Sequence, residues 1–245
     1  MITKKRNLFT YLGIFFIFLL WFLLSTITKE EIVMPSISTT FRQLFELLKN
    51  NNTYLILLNS IGGLVLIIVG GSLVALILAL ISVKSLAFKS FISPILSLFK
   101  ILPVPAIIIL FLVQFSQEIT PYLLTSMVII PIIYDGIYGN IISIDDDLKD
   151  EVKMISNLNF KVWFQVYLPV IRVGIITTLL QSFGIGLKVK VMTEFVASSK
   201  NTIGYALNYA RAYLLMDLVF AWTLILVLIV VLIDAILNYL IKKEV

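Results

Sequence analysis

The sequence predicts an all-α membrane protein whose single domain crosses the bilayer six times. Of its 245 residues, 60% are hydrophobic and 13% are charged, and the mean hydropathy is +1.06. Soluble domains are about half apolar and about a quarter charged, so this composition indicates lipid as the main solvent. Six apolar runs are long enough to cross a hydrocarbon core of roughly 30 Å, which takes about 20 helical residues.

These six runs are the predicted transmembrane helices, and they cover 8–27, 55–83, 91–115, 122–142, 166–197 and 214–241. Pro103, Pro105 and Pro131 fall within the third and fourth runs, where a proline can kink or split a helix. The first run follows a basic start, as in a signal peptide. No small-x-small cleavage site follows it, so we expect it to be retained as a span.

The segment between the first two spans predicts a short amphipathic helix on the outer surface. Ser38 or Thr39 is a suitable N-cap for it. Its apolar face comprises Phe41, Leu44, Phe45, Leu47 and Leu48. Such a helix serves either as a connector or as a docking site for an external partner. We therefore predict a single transmembrane domain over 1–245, with a core at 55–241 and residues 1–54 supplying the first span and this helix.

Lys and Arg in the short loops predict the orientation of the chain. With the N-terminus inside, ten lie on the cytoplasmic side: Lys4, Lys5, Arg6, Lys84, Lys89, Lys149, Lys153, Lys161, Lys242 and Lys243. Five lie outside: Lys29, Arg42, Lys49, Lys200 and Arg211. This bias predicts a multi-pass protein of the cytoplasmic (inner) membrane with both termini in the cytoplasm. Because the basic residues are scattered, the net charge of +5 does not indicate nucleic-acid binding.

The residue types present argue against chemistry on this chain. It has no Cys and no His, which removes disulfides, Cys/His metal sites and thiol nucleophiles. The acids gather on one loop without a nucleophile–base pair. No Gly-x-x-x-x-Gly-Lys-Ser/Thr phosphate loop is present. We expect no catalytic residue, no metal site and no cofactor in this chain.

The most highly charged stretch is "DDDLKDEVKMISNLNFKVWFQVYLPV", residues 145–170. Seven charges lie between Asp145 and Lys153, and aromatic and aliphatic residues then return at once. Apolar side chains in an aqueous loop are costly unless they are buried against something. Either the loop folds back under the helix bundle or it docks a partner, and the residues alone favour neither.

This stretch resembles the cytoplasmic coupling loop of ABC importer permeases. The pattern of that loop is Glu-Ala-Ala, three residues, Gly, nine residues, then Ile-x-Leu-Pro. Leu168 and Pro169 match its Leu-Pro, and Val166 takes the Ile position.

The glycine position of the pattern has two candidates. Counting back from Pro169 places Asp150 at the Glu and Ser156 at the Gly. Anchoring on Glu151 instead places Asn157 at the Gly. The glycine is replaced in both alignments.

Four further stretches resemble permeases of the nitrate/sulfonate/taurine branch and extend the likeness over nearly the whole chain. They are "MPSISTTFRQLFELL", "ILPVPAIIILFLVQF", "GIGLKVKVMTEFVAS" and "NTIGYALNYARAYLLMDLVFAWTLI". That branch often has an Arg after the Ser of the second span, whereas Ser60 is followed here by Ile61.

The resemblance implies a type I importer permease, with a coupling helix between the fourth and fifth spans. ATP with Mg would be bound and hydrolysed by a separate cytoplasmic ABC ATPase. An extracytoplasmic binding protein would deliver a small anionic or heterocyclic solute, and two copies of the chain would form the path. The implied coupling residues are Asp150, Glu151, Met154, Ile155, Ser156, Asn157, Leu158, Leu168 and Pro169.

The fifth span carries the candidate path or gate residues Gly184, Lys188, Lys190 and Glu194. A charge at the bilayer centre costs about 2.5–3.5 kcal/mol on insertion scales. The three charged residues must therefore face a wet cavity, pair with one another or lie near the membrane edge. Glu194 follows Pro169 by a helical length of about 37 Å, which places it near the outer surface. An interfacial ion pair and an outer vestibule both fit, and Gly184 either loosens the helix or permits close approach.

The main alternative is a secondary transporter or channel that needs no ATPase. It predicts charges paired at the membrane midplane and broken helices in matching halves, and we find no internal repeat in the sequence. A subunit with a purely structural role also stays open.

Overall fold

The computed structural model describes residues 2–147, 165–166 and 168–242, and the regular elements in these ranges are all helical. The helices are α1 (Ile2–Thr28), α2 (Ile37–Lys49), α3 (Asn51–Leu57), α4 (Gly63–Lys84), α5 (Leu86–Ile101), α6 (Val104–Gln114), α7 (Thr120–Ile142), α8 (Leu168–Ala197), α9 (Ile203–Ala212) and α10 (Met216–Lys242). A π-helical turn at Leu58–Gly62 joins α3 to α4.

Five segments within the described ranges are long and apolar enough to cross a membrane. They are Phe9–Thr28, Asn51–Lys84, Thr120–Ile142, Leu168–Ala197 and Met216–Ile236. Helices α5 and α6 pass the same test only as a pair, and they are bent by 98°. The count is therefore five, or six if this bent pair forms one span.

The predicted third span, 91–115, is not one continuous helix. The helix is interrupted at Leu102 and Pro103, where the backbone is extended. Proline has no N–H to donate and disfavours helical geometry in the residue before it, which explains the break. Pro131 does not interrupt α7, which remains continuous around it.

Helices α4, α7 and α8 form the centre of the bundle, with α7 packed between the other two. The buried Tyr134 of α7 donates a hydrogen bond to Ser82 of α4 at 2.9 Å. On the other side, Gly186 of α8 lies against Ile129 of α7, and a Cβ at that glycine would collide with the isoleucine. Small residues let transmembrane helices approach closely, so this contact fixes the separation of α7 and α8.

Helix α2 forms as predicted between the first two spans, but with a different cap and a narrower buried face. Ser36 caps it by accepting a hydrogen bond from the Thr39 N–H at 3.2 Å, so the predicted caps Ser38 and Thr39 are wrong by two or three residues. Leu44 is buried, whereas Phe45 and Leu48 are exposed. Phe41 and Leu47 are partly buried against the core, so three of the five predicted apolar residues face the protein.

Helix α1 lies at the edge of the bundle, and no residue of its apolar window is buried. Trp21 connects it to the rest of the chain: its Nε1 donates to the Pro35 carbonyl at 3.0 Å, and its ring lies 5.5 Å from that of Phe220. Lipid solvates the apolar side chains of such a helix, so α1 needs few contacts with the rest of the protein.

Candidate functional site

The most deeply buried charges in the described ranges lie near the C-terminal end of α8. Lys190 and Glu194 are one turn apart, and their side chains are 1% and 0% exposed. The distance from Lys190 Nζ to Glu194 Oε1 is 2.6 Å. A buried charge is strongly destabilising unless it is paired and hydrogen-bonded, so each of these residues requires the other.

The second carboxylate oxygen of Glu194 links α8 to two other elements. Glu194 Oε2 accepts from Ser60 Oγ at 2.8 Å and from the Gly204 N–H at 3.3 Å. Ser60 Oγ also accepts from the Ile203 N–H at 2.9 Å. We call Ser60, Lys190, Glu194, Ile203 and Gly204 the Glu194 network.

The turn between α8 and α9 directs the Ile203 N–H to Ser60 and the Gly204 N–H to Glu194. Ser198 and Asn201 adopt left-handed backbone angles, and the Ser199 N–H bonds to the Glu194 carbonyl at 3.1 Å to close α8. Thr202 then caps α9 by accepting from the Tyr205 N–H at 3.2 Å. N–H groups at a helix N-terminus have no partner within the helix, and the Glu194 carboxylate accepts from one of them, that of Gly204.

Ser60 lies in the π-helical turn near the start of the second predicted span, and it contacts Glu194 from there. A π turn re-aims side chains within a helix and is frequent at functional sites. The next turn begins at Gly63, where a Cβ would lie 2.7 Å from Tyr122 Oη and 3.0 Å from Lys190 Cε. Lys190 Nζ lies 4.4 Å from the centre of the Tyr122 ring, a cation–π distance.

A cavity of about 170 Å³ adjoins the Glu194 network and has room for several water molecules. Its lining comprises Asn59, Glu118, Pro121, Tyr122, Lys190, Glu194, Ser199, Lys200 and Thr202. Glu118 and Lys200 are exposed, whereas Lys190 and Glu194 are buried. The cavity is therefore a polar recess that leads from exposed charges to a neutralised buried pair.

We expect Ser60→Ala to destabilise the chain by about 1–3 kcal/mol, since it leaves the buried Ile203 N–H without an acceptor and removes one donor to Glu194. The check is the midpoint of thermal unfolding of the purified chain in detergent. Ser97→Ala, on a half-buried serine of α5 remote from the Glu194 network, is the matched control. An equal midpoint for the two variants would show that Ser60 contributes nothing to the network.

The structure separates the four predicted path residues into two groups. Lys190 and Glu194 form the ion pair that their spacing allowed. Lys188 is exposed, and two helical positions turn it to a different side of α8 from Lys190. Gly184 is half-buried, and an added Cβ there would meet nothing within 4 Å, so it does not serve close packing within this chain.

The predicted coupling residues lie mostly outside the described residues: Asp150, Glu151, Met154, Ile155, Ser156, Asn157 and Leu158. Leu168 and Pro169 are described, and they form the first turn of α8. A proline fits the first turn of a helix because the N–H groups there have no helical partner.

A second ion pair was not anticipated from the sequence. Lys100 at the end of α5 lies 2.5 Å from Asp135 of α7. The available signal was that each is the only charged residue in its predicted span. A paired charge and a broken helix are also features expected of the secondary-transporter alternative.

Within the part of the chain that the structure describes, no group of three or more Asp or Glu residues could hold a metal ion. The model of a protein family described as "Binding-protein-dependent transport system inner membrane component" matches residues 71–244. This range includes α7, α8 and α9, and thus both members of the buried ion pair. A search of curated proteins found no match to the chain.

Proposed function

The chain belongs to the family of binding-protein-dependent transport system inner membrane components, and we propose that it is the importing permease of the nitrate/sulfonate/taurine branch. Membership makes it an ABC-type, multi-pass inner-membrane permease rather than an enzyme. The observation that carries the proposal is the match over 71–244, well over half of the chain. The four stretches that resemble this branch support the finer assignment.

Several features complete the proposed topology. The bent pair of α5 and α6 counts as the third of six spans, both termini are cytoplasmic, and residues 1–245 form one domain with its core at 55–241. Residues 1–54 then add the peripheral α1 and the outer helix α2. The weak attachment of α1 supports this division, because none of its apolar window is buried.

Two copies of the chain would form the path, and a pair of cytoplasmic ABC ATPase subunits would close about the same two-fold axis. An extracytoplasmic binding protein would deliver the solute to the outer face. ATP and Mg would be held by the ATPase partner, and this chain would hold no cofactor.

The coupling loop would pass the movement of the ATPase to α8. Asp150 or Glu151 would pair with a basic group of the ATPase, and Met154, Ile155 and Leu158 would fill an apolar pocket. Helix α8 is continuous from Leu168 to Ala197. Movement of the loop at its N-terminal end would therefore shift the whole helix and, with it, the Glu194 network. The cavity beside the outer end of α8 supports the proposal that this region is an outer vestibule or gate.

The charges of the vestibule bear on the class of solute. Lys190 is neutralised by Glu194 and is not free to attract an anion. Lys188 and Lys200 are both exposed, and Lys200 lines the cavity whereas Lys188 lies on another side of α8. These two exposed lysines would favour an anionic solute.

The first test is capture of the ATPase subunit encoded beside this gene, by co-purification in mild detergent. We expect the native chain to retain it. The triple variant Met154→Ser, Ile155→Ser, Leu158→Ser should lose at least about tenfold of it, because its apolar anchors in the pocket are removed.

A matched control exists on the opposite side of the membrane. Ile32 and Val33 are 59% and 60% exposed in the loop after α1, and changing both to Ser should leave capture unchanged. Equal capture by the native chain and the triple variant would overturn the coupling-loop assignment. Failure of the native chain to capture any ATPase would favour the stand-alone transporter instead.

A further inference from the structure

The ion pair between Lys100 and Asp135 is exposed at the surface of the described chain. The two side chains are 37% and 51% exposed, and Lys100 Nζ lies 2.5 Å from Asp135 Oδ2. Asp135 is the only charged residue of α7. The pair therefore differs from the buried Lys190–Glu194 pair, because solvent or another molecule reaches it.

Two helices place this pair well inside the membrane. Asp135 lies seven residues before the inner end of α7, about 10 Å along the helix axis. Its neighbour Gly136 touches Thr178, which is ten residues from the start of α8 and nineteen from its end. In a hydrocarbon layer of roughly 30 Å, both positions fall within the layer rather than at its edge.

Lipid is an unfavourable environment for these two groups. Ionisable side chains in transmembrane segments face the bundle interior or a water-filled cavity, where their charges are solvated. Leu98 is 54% exposed on the same helix as Lys100 but is turned about 200° away from it, which suits contact with lipid. Helix α5 thus has one charged side and one apolar side.

We propose that Lys100 and Asp135 line the water-filled passage between two copies of this chain. The proposal rests on the two-copy permease proposed above. A two-fold axis beside α5 and α7 brings two such pairs together and makes a polar ring within the hydrocarbon layer. A small hydrophilic solute exchanges part of its hydration there for the Lys100 ammonium or the Asp135 carboxylate. The pair is neutral overall, so the intact ring does not select by charge.

The absence of native Cys makes this proposal directly testable with single-cysteine variants. The full chain with its partners is studied in sealed membrane vesicles of both orientations, with and without ATP. Each variant is treated with membrane-impermeant methanethiosulfonates, one anionic and one cationic. Such reagents modify the thiolate, which forms only where water reaches the sulfur.

Three variants separate the possible outcomes. Asp135→Cys probes the pair itself. Gly139→Cys lies one turn away on the same side of α7 and leaves the pair intact, since an added Cβ there meets nothing within 4 Å. Leu98→Cys, exposed on the other side of α5, is the control for a position in lipid.

We expect the Asp135 and Gly139 variants to react at least about tenfold faster than the Leu98 variant, from at least one side of the membrane. In the Asp135 variant Lys100 has lost its partner and should attract the anionic reagent. We expect the ratio of the anionic to the cationic reaction rate to be about tenfold higher there than in the Gly139 variant. Rates no faster than that of Leu98→Cys would overturn the proposal. So would the same reagent preference in both variants.

Capture of the ATPase, measured on the same membranes, separates this inference from the proposed function. Unreactive thiols in a chain that retains the ATPase reject the passage and leave the permease assignment in place. Reactive thiols in a chain without an ATPase retain the passage and reject the importer.

Discussion

Glu194→Gln is expected to destabilise the folded chain by about 3–5 kcal/mol, the usual cost of removing one partner of a buried ion pair. The glutamine is nearly the same size, and its amide oxygen can still accept from Ser60 and from the Gly204 N–H. What it lacks is the charge, so Lys190 is left 1% exposed without a counter-ion. The measurement is the midpoint of thermal unfolding in detergent, read from the loss of the monodisperse peak in size-exclusion chromatography.

A double variant shows whether the unpaired charge is the cause. Lys190→Met combined with Glu194→Gln removes both charges and keeps the volume, so most of the lost stability should return. Lys188→Met is the matched single control, because Lys188 is exposed on the same helix. The explanation fails if Glu194→Gln unfolds at the native midpoint, or if the double variant is no more stable than Glu194→Gln.

Gly204→Ala is expected to have the second-largest effect, a loss of about 2–4 kcal/mol from overpacking and from a broken hydrogen bond. A Cβ at this position would collide with the Phe195 backbone nitrogen and the Glu194 Cβ, and it would lie 2.5 Å from the Val191 carbonyl oxygen. Two of these atoms belong to the backbone of α8, so no rotamer change relieves the contact. Helix α9 must move away, and its Gly204 N–H then leaves Glu194.

Gly70→Ala is the control for the change of residue type. Gly70 is an exposed position of α4 where an added Cβ meets nothing within 4 Å, so we expect no loss of thermal stability there. A proteolysis assay complements the unfolding midpoint, since displaced α9 should be cleaved faster in Gly204→Ala. Equal midpoints and equal cleavage in the two variants would show that the α8–α9 contact tolerates a methyl group.

Much of the secondary structure follows from the sequence because the hydrocarbon layer imposes it. A span needs about 20 apolar residues in a helix that satisfies its own backbone hydrogen bonds, so apolar runs mark helices directly. The predicted runs 122–142 and 166–197 accordingly agree with α7 and α8 to within a few residues. The break at Pro103 was only one of three possibilities, because Pro131 carries the same local signal and yet lies in a continuous helix.

The candidate site was only partly accessible to the same reasoning. The spacing of Lys190 and Glu194 permits an ion pair, since positions one turn apart lie on the same side of a helix. Nothing local, however, shows that Lys190 turns inward while Lys188 turns outward. Nothing local marks Ser60 as a partner either, because serine is common in apolar helices for other reasons.

The sequence by itself determined that this chain is an α-helical membrane protein, where most of its helices lie, and which family it resembles. These properties depend on composition, on apolar runs and on a loop pattern, all of which are local along the chain. Only the tertiary structure decided which charges are neutralised inside and which stay exposed. Ser60 meets Glu194 across 134 positions of sequence, and Lys100 meets Asp135 across 35. Such contacts depend on how α4, α5, α7 and α8 pack, and no local pattern specifies that packing.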